Sequence, residues 1–376
     1  LQERLAEPGM APVQIGNTDT VSLVFALEPE ARGADTPPAD ATWTSTADFA
    51  SGVASALDAW FARRGIAAHA RVLARDPGGA ERVGRMPLPT GEDLRIESSR
   101  TLEADFMDVL LEAERYVARQ SHLFASEEEL RASGMIVASA GMRRALARVI
   151  DAAEQGVKSL LLTGPSGAGK DGLARAFHAH TKRPGPFVAR NCALMSKELV
   201  RSELFGAERG AFSGAVARIT GAVEAAQHGT LFLDELAELP RDVQPMLLSF
   251  LDRGEYERMG RYGKPSTADV RIVCATNSDL RTRALRDEFR LDLWYRLAVC
   301  VVEVPPLRER FADVAAYLRT RPAADGATLW DALTDEAVEV LEGHAWEGNF
   351  RELSNFAMRV TPLARGRSID AARCRA

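Results

Sequence analysis

The stretch Leu160-Leu-Leu-Thr-Gly-Pro-Ser-Gly-Ala-Gly-Lys-Asp171 decides the fold. A short apolar run ends in Gly164, and Gly169-Lys170 then opens an amphipathic segment. That order predicts a strand, a glycine loop and a helix. Glycine lets the backbone turn its N–H groups inward around phosphate oxygens, and the helix N-terminus adds its positive end. Gly164, Pro165, Ser166, Gly167, Ala168 and Gly169 would form the cradle, with Lys170 reaching the β- and γ-phosphates. The generic motif places Ser or Thr next, as a Mg2+ ligand, but this chain has Asp171. A chance glycine-rich turn is the plainer reading, and it weakens because a second element follows. In Gly229-Thr-Leu-Phe-Leu-Asp-Glu235 an apolar strand ends in two acids. Asp234 is expected beside Mg2+, directly or through water, and Glu235 is expected to polarise the attacking water. Phosphoryl transfer needs that division of labour, because its catalysis is mostly positioning and charge neutralisation.

A chain of 376 residues holds two or three domains. At 46% hydrophobic and 27% charged it has an ordinary globular composition. The net charge of −6 gives no strong basic field to draw it to nucleic acid. The longest apolar runs, Leu160–Leu162 and Ala298–Val302, are far too short to span a bilayer, so no membrane partner is expected. No charged-then-apolar signal segment opens the chain, and a start at Leu1 is what a fragment would show. Cys192, Cys274, Cys300 and Cys374 have no metal-ligand spacing and fit the reduced, buried cysteines of a cytoplasmic protein. His178 and His180 are two apart and would point to different sides of a helix, which argues against a metal site.

Residues 1–120 carry no recognisable chemistry. Val21–Leu27, Ala68–Ala74 and Glu92–Ser98 are expected strands, Gly33–Thr46 a loop and Asp76-Pro-Gly-Gly79 a turn. Phe49–Arg64 has helical spacing, with Val53, Leu57, Trp60 and Phe61 on one face. This is a small α+β module with two readings, a sensor or regulatory domain and a plain interaction module. Leu102–Arg119 is spaced as a helix, for core packing or for pairing two protomers. Ser121–Ser139 is linker-like, and the linker proper is placed at 121–136.

From Met142 strands and helices alternate. Helices are expected at Met142–Ala153, Lys170–Thr181, Ser196–Phe205 and Asp242–Arg253. Strands are expected at Ser159–Thr163, Pro186–Asn191, Gly229–Asp234, Val270–Thr276 and Val299–Val304. This predicts an α/β fold with a parallel, doubly wound sheet over 137–306. Ligands then bind at the carboxyl ends of the strands, where the glycine loop, Asp234 and Asn277 would fall. Residues 307–376 turn helical (Phe311–Arg319, Leu329–Leu341, Asn349–Val360) and form a helical lid.

On these residues the chain, over about 137–362, resembles the AAA+ ATPase domain of bacterial enhancer-binding proteins, the activators of sigma-54 RNA polymerase. The matching stretches are Gly164–Asp171, Pro186–Ala193, Glu203-Leu-Phe-Gly206, Gly210-Ala-Phe-Ser-Gly-Ala215, Gly229–Glu235, Ala275-Thr-Asn277, Phe289–Leu297, Pro305-Pro-Leu-Arg-Glu-Arg310 and Trp346–Leu353. The most specific is Gly210–Ala215. An acid after the P-loop lysine is usual in that family, which accounts for Asp171.

The resemblance implies an AAA+ P-loop NTPase using ATP and Mg2+. It also implies roles for single residues. Asn191 would be a switch partner holding Glu235, Asn277 sensor I, and Arg351 sensor II. Arg290 and Arg296 would be arginine fingers acting in trans, which requires a ring, a hexamer in the family. A permanent charge in a planar fork suits a transferring phosphoryl group. Gly210, Ala211, Phe212, Ser213, Gly214 and Ala215 would project from the ring onto the sigma factor of the RNA polymerase holoenzyme. Ser213 stands where the family usually has Thr, keeping the hydroxyl without the methyl. Gly254–Asp269 resembles the second pore-facing loop. The family's C-terminal helix-turn-helix does not follow, so direct sequence-specific DNA binding is not expected. A fragment, a truncated product, and an activator working from solution or through a partner all remain open. The expected function is ATP-driven remodelling of sigma-54 RNA polymerase. The alternative is an ATP-binding oligomeric interaction protein that does not itself activate transcription.

Overall fold

The computed structural model describes residues 46–63, 68–74, 85–87, 92–98, positions 113, 116, 117 and 120, and 134–375 apart from 213–214, 262, 264, 324–325 and 365–367. The expected strand Val21–Leu27, the turn at 76–79 and the loop over 33–45 lie outside these residues. So do most of the helix expected over 102–119 and of the linker at 121–136. Near the start, helix α1 (Thr46–Arg63) is followed by strands β1 (Ala68–Ala74), β2 (Arg85–Pro87) and β3 (Glu92–Ser98). They form an antiparallel sheet in the order β1-β3-β2. The face spaced for burial is buried: Val53, Leu57, Trp60 and Phe61 are all fully enclosed. Asp58 Oδ1 accepts the Ala70 N–H at 2.7 Å, tying helix to sheet.

The larger unit runs through α2 (Ala140–Glu154), β4 (Ser159–Thr163), α3 (Lys170–His180), β5 (Phe187–Asn191), α4 (Val200–Phe205), α5 (Ala222–Ala225) and β6 (Thr230–Asp234). It continues through α6 (Gln244–Arg253), the short hairpin β7 (Glu255–Tyr256) and β8 (Ser266–Thr267), then β9 (Arg271–Thr276), α7 (Leu280–Leu285), α8 (Leu291–Leu297) and β10 (Val301–Glu303). Five strands form a sheet in the order β10-β4-β9-β6-β5, and every pairing is parallel. Parallel strands are covered on both faces and so read as continuous apolar runs. Alternation within the runs assigns the two faces. Leu160, Leu162, Phe232, Val273 and Ala275 pack with Leu146, Val149, Leu173 and Phe177 of α2 and α3. Leu161, Leu231, Leu233, Ile272 and Cys274 pack with Phe205, Leu247, Phe250 and Leu293 of α4, α6 and α8.

The lid follows as α9 (Phe311–Arg319), α10 (Asp335–Glu342), α11 (Asn349–Val360) and α12 (Ala371–Arg375), with Trp346, Leu353 and Phe356 in its own apolar cluster. Two helices are shorter than their spacing predicts. Residues 196–199 form a turn in which Ser196 Oγ accepts the Leu199 N–H, so α4 begins at Val200. The run from Leu329 is interrupted because Thr334 N donates to Ile369 O and Ile369 N to Ala332 O. The Thr334 side chain then caps α10 through the Ala337 N–H. Cys192 and Cys274 are buried, but Cys300 and Cys374 are only partly so.

Replacing Phe177, which is fully buried between α3 and the sheet, with Ala should destabilise the chain by about 3–5 kcal/mol. Met358→Ala, on an exposed position of α11, should stay within about 0.5 kcal/mol. Chemical denaturation of both variants checks the pair.

Candidate active site

The loop between β4 and α3 is defined by where its carbonyls go. Lys170 Nζ donates to Gly164 O at 2.8 Å and to Pro165 O at 3.0 Å. Asn349 Nδ2 donates to Ser166 O at 2.9 Å, and the Phe350 N–H to Gly167 O at 3.1 Å. Arg310 Nη1 donates to Ala168 O at 2.9 Å, and the Leu173 N–H reaches Gly169 O. All six carbonyls from Gly164 to Gly169 therefore have a donor. Of its N–H groups, that of Ala168 donates to Pro165 O at 3.3 Å, and those of Ser166, Gly167 and Gly169 are what the loop has left to offer an anion. Three of the six carbonyls are held from the lid side of the chain.

Glycine is required where the chains approach. Gly167 sits at φ +75, and a Cβ there would come within 2.8 Å of Gly348 O. Gly164 sits at φ +147 with no room beside Val304 O, and its N–H donates to Thr276 O at the end of β9. Asn277 thus follows directly on the strand end that anchors the loop. Its Oδ1 accepts from Ser278 Oγ at 3.2 Å.

The acids stand at the end of β6. Asp234 Oδ1 accepts the Glu235 N–H at 2.9 Å. Glu235 adopts φ +49, a left-handed conformation that costs a residue with a Cβ about 1–3 kcal/mol. Burial pushes the Lys170 ammonium below its ordinary pKa, Glu235 and Asp234 pull it back up, and Arg351 lowers it. These four side chains therefore share one electrostatic site. Arg351 Nη1 donates to Ser166 Oγ at 2.6 Å, which brings α11 to the loop.

Several expected positions fall elsewhere. Asn191 Nδ2 donates to Asp234 Oδ2 at 3.4 Å, not to Glu235, and its Oδ1 accepts the Ala193 N–H. The hydrogen bond goes to Asp234 because Asn191 and Asp234 are register partners on the paired strands β5 and β6. Asp171 pairs with Arg175 at 3.1 Å, with both side chains more than half exposed. Arg290 bonds Asp292 at 2.7 Å, and Arg296 bonds Asp252 at 3.0 Å and Leu251 O at 2.9 Å. Within the chain, then, these arginines are held by carboxylates and not by the loop. In the segment Gly210–Ala215, Gly210 N donates to Ala215 O at 2.8 Å, Ala215 N to Phe212 O, and Phe212 is half-exposed. Ser213 and Gly214 lie outside the described residues. The Gly254–Asp269 stretch forms the β7–β8 hairpin.

Sequence reading missed Arg310 and Asn349. Both belong to recognised stretches, but nothing in the run Arg308-Glu309-Arg310 says which arginine turns inward. The one local signal was Asp313, three residues after Arg310 at the start of a helix.

Residues 135–303 match the Sigma-54 interaction domain family, and residues 308–375 the AAA+ ATPase lid domain. Among curated relatives, the DNA-binding transcriptional regulator NtrC of Rhizobium meliloti (strain 1021) is 43% identical over 242 residues, 63% of this chain and 49% of that protein. The regulatory protein LuxO of Vibrio cholerae serotype O1 is 39% identical over 290 residues, 74% of this chain and 63% of LuxO. A crystal structure of NtrX from Brucella abortus in complex with ADP superposes with a TM-score of 0.55 at 32% identity, covering 73% of this chain and 60% of NtrX. NtrX in complex with ATP gives the same TM-score and identity, covering 64% of NtrX. The chain spans about half to two thirds of the length of these relatives. Among the described residues no helix is long and apolar enough to cross a membrane. Two consecutive family matches, in the order the fold requires and centred on the site just described, give residues 135–303 a Sigma-54 interaction domain and residues 308–375 an AAA+ ATPase lid domain.

Proposed function

We propose that this chain hydrolyses ATP and uses the energy to remodel sigma-54 RNA polymerase so that a promoter can open. The observation that carries the reading is the glycine loop, with every carbonyl engaged, facing Lys170, Asp234, Glu235 and Arg351. In this reading the loop amides and Lys170 hold the β- and γ-phosphates. Glu235 takes up a proton of the attacking water as its oxygen bonds the γ-phosphorus and the bond to the β-phosphate oxygen breaks. Asn277 orients the same region. Arg351, already on Ser166, marks the position of the lid relative to the phosphates.

Mg2+ fits this donor set. That ion takes one or two carboxylates and completes its shell with substrate phosphates and water. Asp234 at the strand end offers one carboxylate, and among the described residues there is no cluster of three or more acids, histidines or cysteines to favour another metal. When bound, Mg2+ supplies charge neutralisation across the phosphates.

Arg290 and Arg296 would complete the site of a neighbouring copy, which requires a ring, with six protomers as the family state. Both are about 40% exposed on the α8 face, where a neighbour could take them over from Asp292 and Asp252. Gly210–Ala215, with Phe212 as its apolar tip, would press on the sigma factor. The α+β module of α1 and β1–β3 would regulate the ATPase, and 137–306 and 307–376 would act as core and lid.

Four outcomes test this. Glu235→Gln should still bind ATP but slow turnover by about 100-fold or more, the range for losing a general base; normal hydrolysis would refute the assignment. Lys170→Ala should weaken nucleotide binding by about tenfold to a hundredfold, since a hydrogen bond to a charged group contributes about 1.5–3 kcal/mol. Turnover per protomer of the parent chain should rise with protein concentration, and a flat dependence would exclude arginines acting in trans. In a pull-down, parent chain in an ATP transition-state complex should capture sigma-54 and Phe212→Ala should not.

A further inference from the structure

Arg310 and Asp313 are the most completely buried pair of opposite charges among the described residues, at 1% and 0% exposure. Arg310 Nε donates to Asp313 Oδ2 at 2.6 Å. Its Nη1 donates to Ala168 O in the phosphate loop at 2.9 Å and to Pro305 O at 3.3 Å. The guanidinium lies over the Phe350 ring, 5.2 Å from its centroid, which leaves Nη2 buried with no hydrogen-bond partner. Asp313 is engaged on its other side by the chain that leads into α2. Its Oδ1 accepts the N–H groups of Ala138 at 2.5 Å and Ser139 at 2.7 Å, and its Oδ2 accepts Ser139 Oγ at 2.9 Å.

A salt bridge placed only for stability has no need to reach a loop carbonyl. In a planar peptide the C=O and the next N–H point in opposite directions. Holding Ala168 O toward Arg310 therefore turns the Gly169 N–H the other way, away from the buried ion pair. Of the three loop glycines, Gly169 alone, at φ +103, has open space around its Cβ position, so nothing packed there keeps it from turning. Arg310 supplies the restraint that glycine lacks. Lysine could not replace it, because a single ammonium cannot hold the Asp313 carboxylate and the Ala168 carbonyl in the fixed fork that a guanidinium provides.

We propose that Arg310 is a positioning residue for the phosphates, fixing the Ala168–Gly169 peptide, and that Asp313 makes this hold depend on the segment Ala138–Ser139 through which the chain enters the ATPase. The site so tuned is that of the reading above, on which the proposal rests. A displacement of the entering segment would loosen Asp313, then Arg310, and then the loop amide.

The test compares the full chain with Arg310→Lys, Asp313→Asn and Ser139→Ala. It measures ADP affinity by calorimetry, KM and kcat for ATP, and thermal melting. Arg310→Lys should keep the ion pair and melt near the parent, yet raise the ADP dissociation constant and KM tenfold or more with kcat within threefold. Asp313→Asn should give a similar rise, and Ser139→Ala a smaller one of two- to threefold. Arg310→Lys with affinity and KM within twofold of the parent would overturn the proposal. So would a fall in kcat at constant KM, since the pair would then serve packing or chemistry and not phosphate positioning. If Arg310→Lys does not fold, unchanged affinity in Ser139→Ala and Asp313→Asn overturns it instead. A parent chain that binds ADP without turning over ATP would sink the activator reading and leave the affinity comparison decisive. A parent that binds neither nucleotide would overturn both.

Discussion

A phosphate loop works only if its carbonyls point away from the phosphates, and here the lid side of the chain enforces half of that condition. Asn349, Phe350 and Arg310 hold the carbonyls of Ser166, Gly167 and Ala168, while Lys170 and Leu173 hold the others. An isolated glycine-rich loop would have no reason to stay in this form, because Gly turns freely to either sign of φ. Lid and loop are therefore one structural unit. A lid that moved off would leave three carbonyls to find water or rotate inward against the phosphates. Nucleotide affinity and lid position then become two aspects of a single equilibrium, in which whatever favours one state shifts the other.

The same close approach explains why the sequence around it is so constrained. The Gly167 position has no space for a Cβ beside Gly348, and Asn349 adopts φ +51. From that conformation Asn349 donates to Ser166 O and accepts the Leu307 N–H at 2.8 Å. One buried amide thus joins the loop, the lid helix and the point where the chain leaves the sheet. Asparagine tolerates the left-handed region better than other side-chain-bearing residues, and its amide has both a donor and an acceptor to use. Strain reappears at Glu235, where the chain must turn sharply after β6 for the carboxylates of consecutive residues to serve different ends.

The sheet was legible because its strands announce themselves. The runs at 159–163, 230–234 and 271–276 are apolar on both faces, as buried parallel strands must be. The turn from strand to helix at Gly164–Lys170 was equally plain. Helix ends were harder to see. Leu329–Leu341 has helical spacing throughout, yet the pairing of residues 332 and 334 with Ile369 stops a helix before Thr334. A contact from so far along the chain leaves no local trace. At the site, Lys170, Asp234 and Glu235 could be named from position alone, since each stands at the end of a recognisable element. Arg310 could not, because its neighbour Arg308 has the same type and also stands beside Glu309, and tertiary packing makes one exposed and the other buried. The Asn191 amide reaches Asp234 and not Glu235 for a reason of register: Asn191 and Asp234 are paired across β5 and β6, and Glu235 lies one residue past the pairing.

That register sets the Asn191 amide on Asp234, one residue before Glu235. Asn191 holds Asp234 with one end of its amide and, with the other, caps the turn Cys192–Leu194 through the Ala193 N–H. The turn leads into α4, whose Leu204 and Phe205 are fully buried and whose end is continuous with Gly206 and the loop at 210–215. A short helix locked at its apolar residues moves as a body, because close-packed interiors transmit displacement more readily than they absorb it. At 3.4 Å the Asn191–Asp234 bond is the weakest link in this series, beyond the usual N–H···O distance. A change in charge at Asp234 would act on that long contact, while Leu204 and Phe205 beyond it are fully buried. Such an arrangement can turn a change at a carboxylate into a displacement of a distant loop.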